Sequence, residues 1–134
     1  MRNPMKLLTS FILTMSLLLL SFSATHAQGR TIKRLKFSVG TSSAIVKGTI
    51  TKGEEVAYKL EAKKGQRMRV KLIGKAKNND VVLAAIDGPN GEQLINDMET
   101  SWSGKLPGTG QYSIVIGMIE SKSGSYTLEV IITN

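Results

Sequence analysis

The sequence predicts an all-β protein: an antiparallel Greek-key or jelly-roll-like β-sandwich of about seven to nine strands, following a cleaved signal peptide. Three observations predict it. Apolar residues recur mainly with a period of two, turn signals separate these runs, and no stretch after the leader carries a capped helical pattern. One sheet cannot cover its own apolar face, so this many short strands in a small domain close best as two packed sheets. A closed barrel is the weaker alternative.

The leader comes first. Arg2 and Lys6 precede a largely apolar, leucine-rich stretch over residues 7–22, and Ser23-Ala24-Thr25-His26-Ala27 ends in small residues. This is the pattern of a secretory signal peptide over residues 1–27, cleaved before Gln28. Taking those 27 residues from 134 leaves 107, residues 28–134, enough for one domain. The product is expected to be periplasmic or secreted. No cysteine is present to carry a lipid, and the apolar run is shorter than the roughly 20 residues of a spanning helix. No transmembrane segment is therefore expected after cleavage.

Ala44, Val46 and Ile50 give a loose first strand pattern, and Val56, Tyr58 and Leu60 a stricter second one. Met68, Val70 and Leu72 alternate with Arg67, Arg69 and Lys71. Residues 81–86 are apolar throughout, which predicts a central strand covered on both faces. Trp102 alternates with Gly104 and Leu106, which places the tryptophan in the core. Tyr112, Ile114 and Ile116, then Tyr126, Leu128, Val130 and Ile132, complete the series. Turns are expected at Lys52-Gly53, Lys64-Gly65, Asp87-Gly88-Pro89-Asn90-Gly91, Pro107-Gly108 and Ser123-Gly124. The run from Leu106 to Tyr112 has the form of a tyrosine corner, in which the Tyr112 hydroxyl bonds the backbone a few residues upstream.

Composition excludes several chemistries. The chain has no cysteine, and its only histidine, His26, leaves with the leader, so no Ser-His-Asp or Cys-His site and no nitrogen- or sulfur-ligated zinc is expected. Carboxylates for glycoside hydrolysis, Asp80, Asp87, Asp97 and Glu99, lack a spacing motif, so no catalytic residue is assigned and the chain is read as non-enzymatic. Asn78, Asn79, Asp80, Asp87 and Asn90 offer oxygen atoms for calcium but lack the acidic density of a dedicated loop; no metal site and no cofactor is assigned.

Charge is the strongest anomaly. The formal net charge is +8, falling to +6 when Arg2 and Lys6 leave with the leader. Eight cations lie between residues 59 and 77 against one acid, Glu61. Arg67, Arg69 and Lys71 should project from one strand face about 7 Å apart, a row suited to an anionic envelope glycan or to lipid headgroups. The plainer reading is that such cations protect an exposed edge strand from pairing. Nucleic acid is not expected as a partner, because no aromatic lies between Tyr58 and Trp102 to stack bases.

Four ordered segments carry a resemblance: Phe37-Ser38-Val39-Gly40-Thr41-Ser42-Ser43-Ala44; Gly48-Thr49-Ile50; Tyr58 with Ala62-Lys63-Lys64-Gly65-Gln66; and Leu106-Pro107-Gly108-Thr109-Gly110-Gln111-Tyr112. Together they resemble exported β-sandwich domains of the bacterial pre-peptidase C-terminal type and, within that group, the periplasmic inhibitors of g-type lysozyme. The resemblance implies a binding protein that plugs the lysozyme cleft with loops. Candidate loops contain Asn78, Asn79 and Asp80; Asp97, Glu99 and Trp102; and Glu120 to Ser123. Many lysozymes are basic, so the contact face of a basic inhibitor must be locally acidic, which Asp97 and Glu99 would supply.

Overall fold

The computed structural model describes residues 29–38, 40–75, 80–95 and 97–134, which form eight strands and no helix. The leader, and with it the expected cleavage site, lies outside the described residues. The strands are β1 (Arg30–Arg34), β2 (Ser43–Thr51), β3 (Glu55–Ala62), β4 (Arg67–Lys75), β5 (Val81–Asp87), β6 (Ser101–Lys105), β7 (Gly110–Met118) and β8 (Ser123–Thr133). They make two four-stranded sheets, ordered β1-β3-β7-β5 and β2-β8-β4-β6. Odd strands form the first sheet and even strands the second, so every connection crosses the sandwich. The antiparallel pairs β2·β8, β3·β7 and β4·β6 nest around β5, which is the rolled hairpin of a jelly roll.

Period-two patterning produces the core. Tyr58, Leu60, Met68, Val70, Leu83, Ile86, Tyr112, Ile114, Ile116, Tyr126, Leu128 and Val130 interleave between the sheets. Burying a side chain of this size contributes about 1.5–3 kcal/mol, enough in sum to offset much of the ordering entropy of a small domain. Tyr58 and Tyr126 meet across the gap with hydroxyls 2.7 Å apart and rings edge to face. The turn signals act as expected at Gly53 and Gly65, whose φ values of 85° and 89° favour glycine. The tyrosine corner also forms: the Tyr112 hydroxyl donates to the Gly108 carbonyl at 2.6 Å and accepts from its N–H at 3.2 Å.

Four expectations need correction. β5 is not central in its sheet but terminal, and its free side is covered by returning chain. Leu83 N–H donates to the Glu99 carbonyl at 2.7 Å, and Leu94 N–H to the Ile86 carbonyl at 2.8 Å. β4 is not an edge strand, since β8 and β6 flank it on both sides. Ser123-Gly124 is not a turn but the start of β8, opposite Thr51 and Ile50 of β2. One pairing is parallel: β1 joins β3 with Arg30 opposite Glu55. Its five residues are all exposed, so β1 has no alternation by which the sequence could reveal it.

Candidate functional site

Strand direction gathers two connections, residues 52–54 and 119–122, at one end of the sandwich, together with Asp80 at the entry to β5. The first is a tight turn in which Glu54 N–H returns to the Thr51 carbonyl at 3.1 Å, and Lys52 N–H reaches the Lys122 carbonyl at 2.9 Å. Asp80 is buried and holds the second. One oxygen of its carboxylate accepts N–H bonds from Glu120, at 2.8 Å, and from Ser121. The Asp80 carbonyl accepts from Ile119 N–H at 3.1 Å. The Ser121 backbone bond, above all, holds the Asp80 carboxyl below its ordinary range; burial opposes the shift, and bonds from the Ser121 side chain and Glu120 add to it.

A depression opens beside this end, on the outer face of the first sheet. Glu54 and Glu55 line it from the β2–β3 turn, Met118 and Ile119 from the end of β7, and Met98 from the chain that covers β5. Met98 and Ile119 are 64% and 47% exposed, which is unusual for large apolar side chains. Asp97 and Glu99 flank Met98, both exposed, and Glu120 follows Ile119. Glu55 also receives an ion pair from Arg30, whose Nε lies 2.9 Å away. The result is an apolar patch bordered by Glu54, Glu55 and Lys52, with Asp97, Glu99 and Glu120 adjacent in the chain, a locally acid-rich margin on a basic protein.

The sequence-predicted residues divide clearly. Asp97, Glu99 and Asp80 belong to this end and its margin, with Asp80 positioning rather than presenting. Asn78 and Asn79 lie outside the described residues. Trp102 is half-buried against the core from β6, as its alternation predicted, with its indole lying over Gly104. Arg67, Arg69 and Lys71 project from the outer face of the second sheet, where Arg69 and Lys71 share a shallow depression with Glu99, Ser101 and Ser103. Met98, Ile119, Glu54 and Glu55 were not foreseen. Met98, a methionine set between the acids Asp97 and Glu99, was the one visible signal. Asp80 and Asp87 stand at opposite ends of β5, about 20 Å apart at the rise of a strand, so they form no catalytic carboxylate pair. Among the described residues, no group of three potential ligands could hold a metal ion.

A rolled sandwich of this kind is that of the pre-peptidase C-terminal domains. That domain of a Bacillus anthracis collagenase matches over 80% of this chain and 99% of its own, with a TM-score of 0.50 at 11% identity. Within that class the chain resembles the PliG proteins, periplasmic inhibitors of g-type lysozyme. Aeromonas hydrophila PliG aligns with 78% of this chain and 97% of its own at a TM-score of 0.67 and 27% identity. PliG of Salmonella Typhimurium aligns with 77% and 98% at a TM-score of 0.58 and 19% identity. Neither a scan of protein-family models nor a search of curated proteins gives a match.

Proposed function

We infer that the chain is an exported, non-enzymatic inhibitor of a g-type lysozyme. One observation carries this reading: the whole sandwich resembles Aeromonas PliG, over 97% of that protein at 27% identity. The local chemistry is consistent with it. Exposed Met98 and Ile119 offer anchors that binding would desolvate, and Glu54 with nearby Asp97, Glu99 and Glu120 gives a locally acidic margin that a basic enzyme attracts. Inhibition then works by occlusion: the connections at this end enter the cleft and exclude the glycan, with no bond made or broken. Asp80 holds the 119–122 connection in the shape that enters.

Calorimetric titration of a g-type lysozyme with the protein expressed from its full sequence tests this reading. A one-to-one complex that a cleft-binding oligosaccharide displaces is expected, with no heat from a c-type enzyme. Binding that survives saturation of the cleft with oligosaccharide would place the contact elsewhere and overturn the mechanism.

A further inference from the structure

The outer face of the second sheet is a separate surface of opposite character. Alternation sends Met68, Val70 and Leu72 of β4 into the core and Arg67, Arg69, Lys71 and Lys75 to solvent. The cationic run read in the sequence is split by the fold: Lys59 lies on the other sheet, and Lys63 and Lys64 belong to the β3–β4 turn. In their place the register brings Lys105 of β6 opposite Arg67, and sets Lys47 of β2 in the row of Thr127 and Ile73. Six cations therefore share this face with one acid, Glu129, while Glu99 stands at its β6 margin. Among the described residues, none of the six is held in an ion pair.

Because β4 is an inner strand, its four cations do not guard an edge; only Lys47 and Lys105 stand on the edge strands β2 and β6. Two features give the face a binding character. It has two shallow depressions, one bounded by Lys47 and Lys75 over the hydroxyl residues Thr49, Ser125 and Thr127, the other by Arg69 and Lys71 over Ser101 and Ser103, with Glu99 at its margin. Each places two cations beside hydroxyl donors, the set that receives a phosphate group. Large apolar side chains also stand among the cations: Ile73 between Lys71 and Lys75 along β4, and Ile45 two residues before Lys47 on β2. They are 48% and 61% exposed.

We propose that this face seats the protein on an anionic lipid bilayer, with headgroup phosphates in the two depressions and Ile45 and Ile73 at the acyl boundary. A broad cationic sheet face with exposed isoleucines combines the two signals by which peripheral proteins hold anionic membranes. A soluble polyanion would use the cations alone and leave the isoleucines as a cost in exposed apolar area. This inference does not depend on lysozyme inhibition. The depression lined by Met98, Ile119, Glu54 and Glu55 lies on the first sheet and stays free when the second sheet faces lipid; of its acidic surroundings only Glu99 borders both faces.

Co-sedimentation with vesicles of phosphatidylcholine containing 30% phosphatidylglycerol, against pure phosphatidylcholine, tests it, with polyphosphate as the soluble polyanion. At 50 mM salt, binding to the anionic vesicles is expected to be at least tenfold tighter than to neutral ones, and to fall at least tenfold at 500 mM or in Arg69→Glu with Lys71→Glu. Ile73→Ser should weaken vesicle binding several-fold and leave polyphosphate binding unchanged. Equal binding to both vesicle types, or no binding by a protein whose thermal unfolding is intact, would overturn the proposal. So would an Ile73→Ser variant with unaltered vesicle binding, which would make the face a site for soluble polyanions. Lysozyme inhibition by the charge-reversed variant is expected to persist, so the two readings fail separately.

Discussion

The carboxylate of Asp80 accepts the backbone N–H of Glu120 at 2.8 Å, so that one buried side chain at the start of β5 sets the connection between β7 and β8. The same oxygen also takes Ser121 N–H. An anion is what these two donors require, and the relationship therefore responds to pH.

Asp80 has a folded pKa below its ordinary value of 3.8, so its contribution to stability is complete above that value and is lost as pH falls through the folded pKa. Melting temperature should drop on acidification below about pH 4. Asp80→Asn should melt lower at pH 7 and show a flatter acid limb. Some acid dependence will remain, because the Glu92 carboxyl is also held below its ordinary range, by bonds from its own backbone and from Asn90. A melting curve at each pH, for both proteins, checks the sign.

The anchors at the acid-rimmed end should behave as binding residues. Met98→Ala with Ile119→Ala is expected to weaken inhibition of a g-type lysozyme by at least tenfold, on the scale of two interface anchors, with little change in melting temperature because both side chains are largely exposed. Inhibition curves paired with melting curves separate binding from folding.

Gly48 and Tyr126 constrain each other across β2 and β8, where they stand in register. A Cβ at Gly48 would overlap the phenol, its ring carbon Cζ lying 2.6 Å away. Gly48→Ala therefore displaces the ring and its bond to Tyr58, at a cost of about 1–3 kcal/mol. Each change loses the same Tyr126–Tyr58 bond, so Gly48→Ala combined with Tyr126→Phe should cost less than the sum of the single changes. Urea unfolding of the four proteins gives the coupling.

Tyr112→Phe removes both bonds to Gly108 while keeping the ring buried. A loss of about 1–3 kcal/mol is expected from the polar groups left without a partner, read as a lower urea midpoint with an unchanged slope.

The sandwich was legible because its strands announce themselves by alternation, and the turns at Gly53 and Gly65 by residue type. Tyr112 was legible for the same local reason. β1 was not, because its residues are all exposed and its parallel pairing is with a strand distant in sequence. The place of β5 misled: an all-apolar strand reads as central, whereas here Gln93 and Glu99 bridge to Asp87 and Leu83 along its free side. The site was legible only in part. Asp97 and Glu99 stand out as charges in a connection, but that Met98 lines one depression with Ile119, Glu54 and Glu55 depends on the chain covering β5 coming beside the β2–β3 turn and the end of β7. The cationic row on β4 was read correctly as one face. Its partners Lys47 and Lys105 depend on strand register, which no single segment encodes.

The most direct measurement is the rate of cell-wall lysis by a g-type lysozyme as the protein is titrated in, with a c-type lysozyme as control. Inhibition of the g-type enzyme is expected at sub-micromolar concentration (about −8 kcal/mol or better), with none of the c-type enzyme, and with loss of inhibition in the Met98 and Ile119 variant. Unchanged lysis by the g-type enzyme at a saturating concentration of folded protein would contradict it.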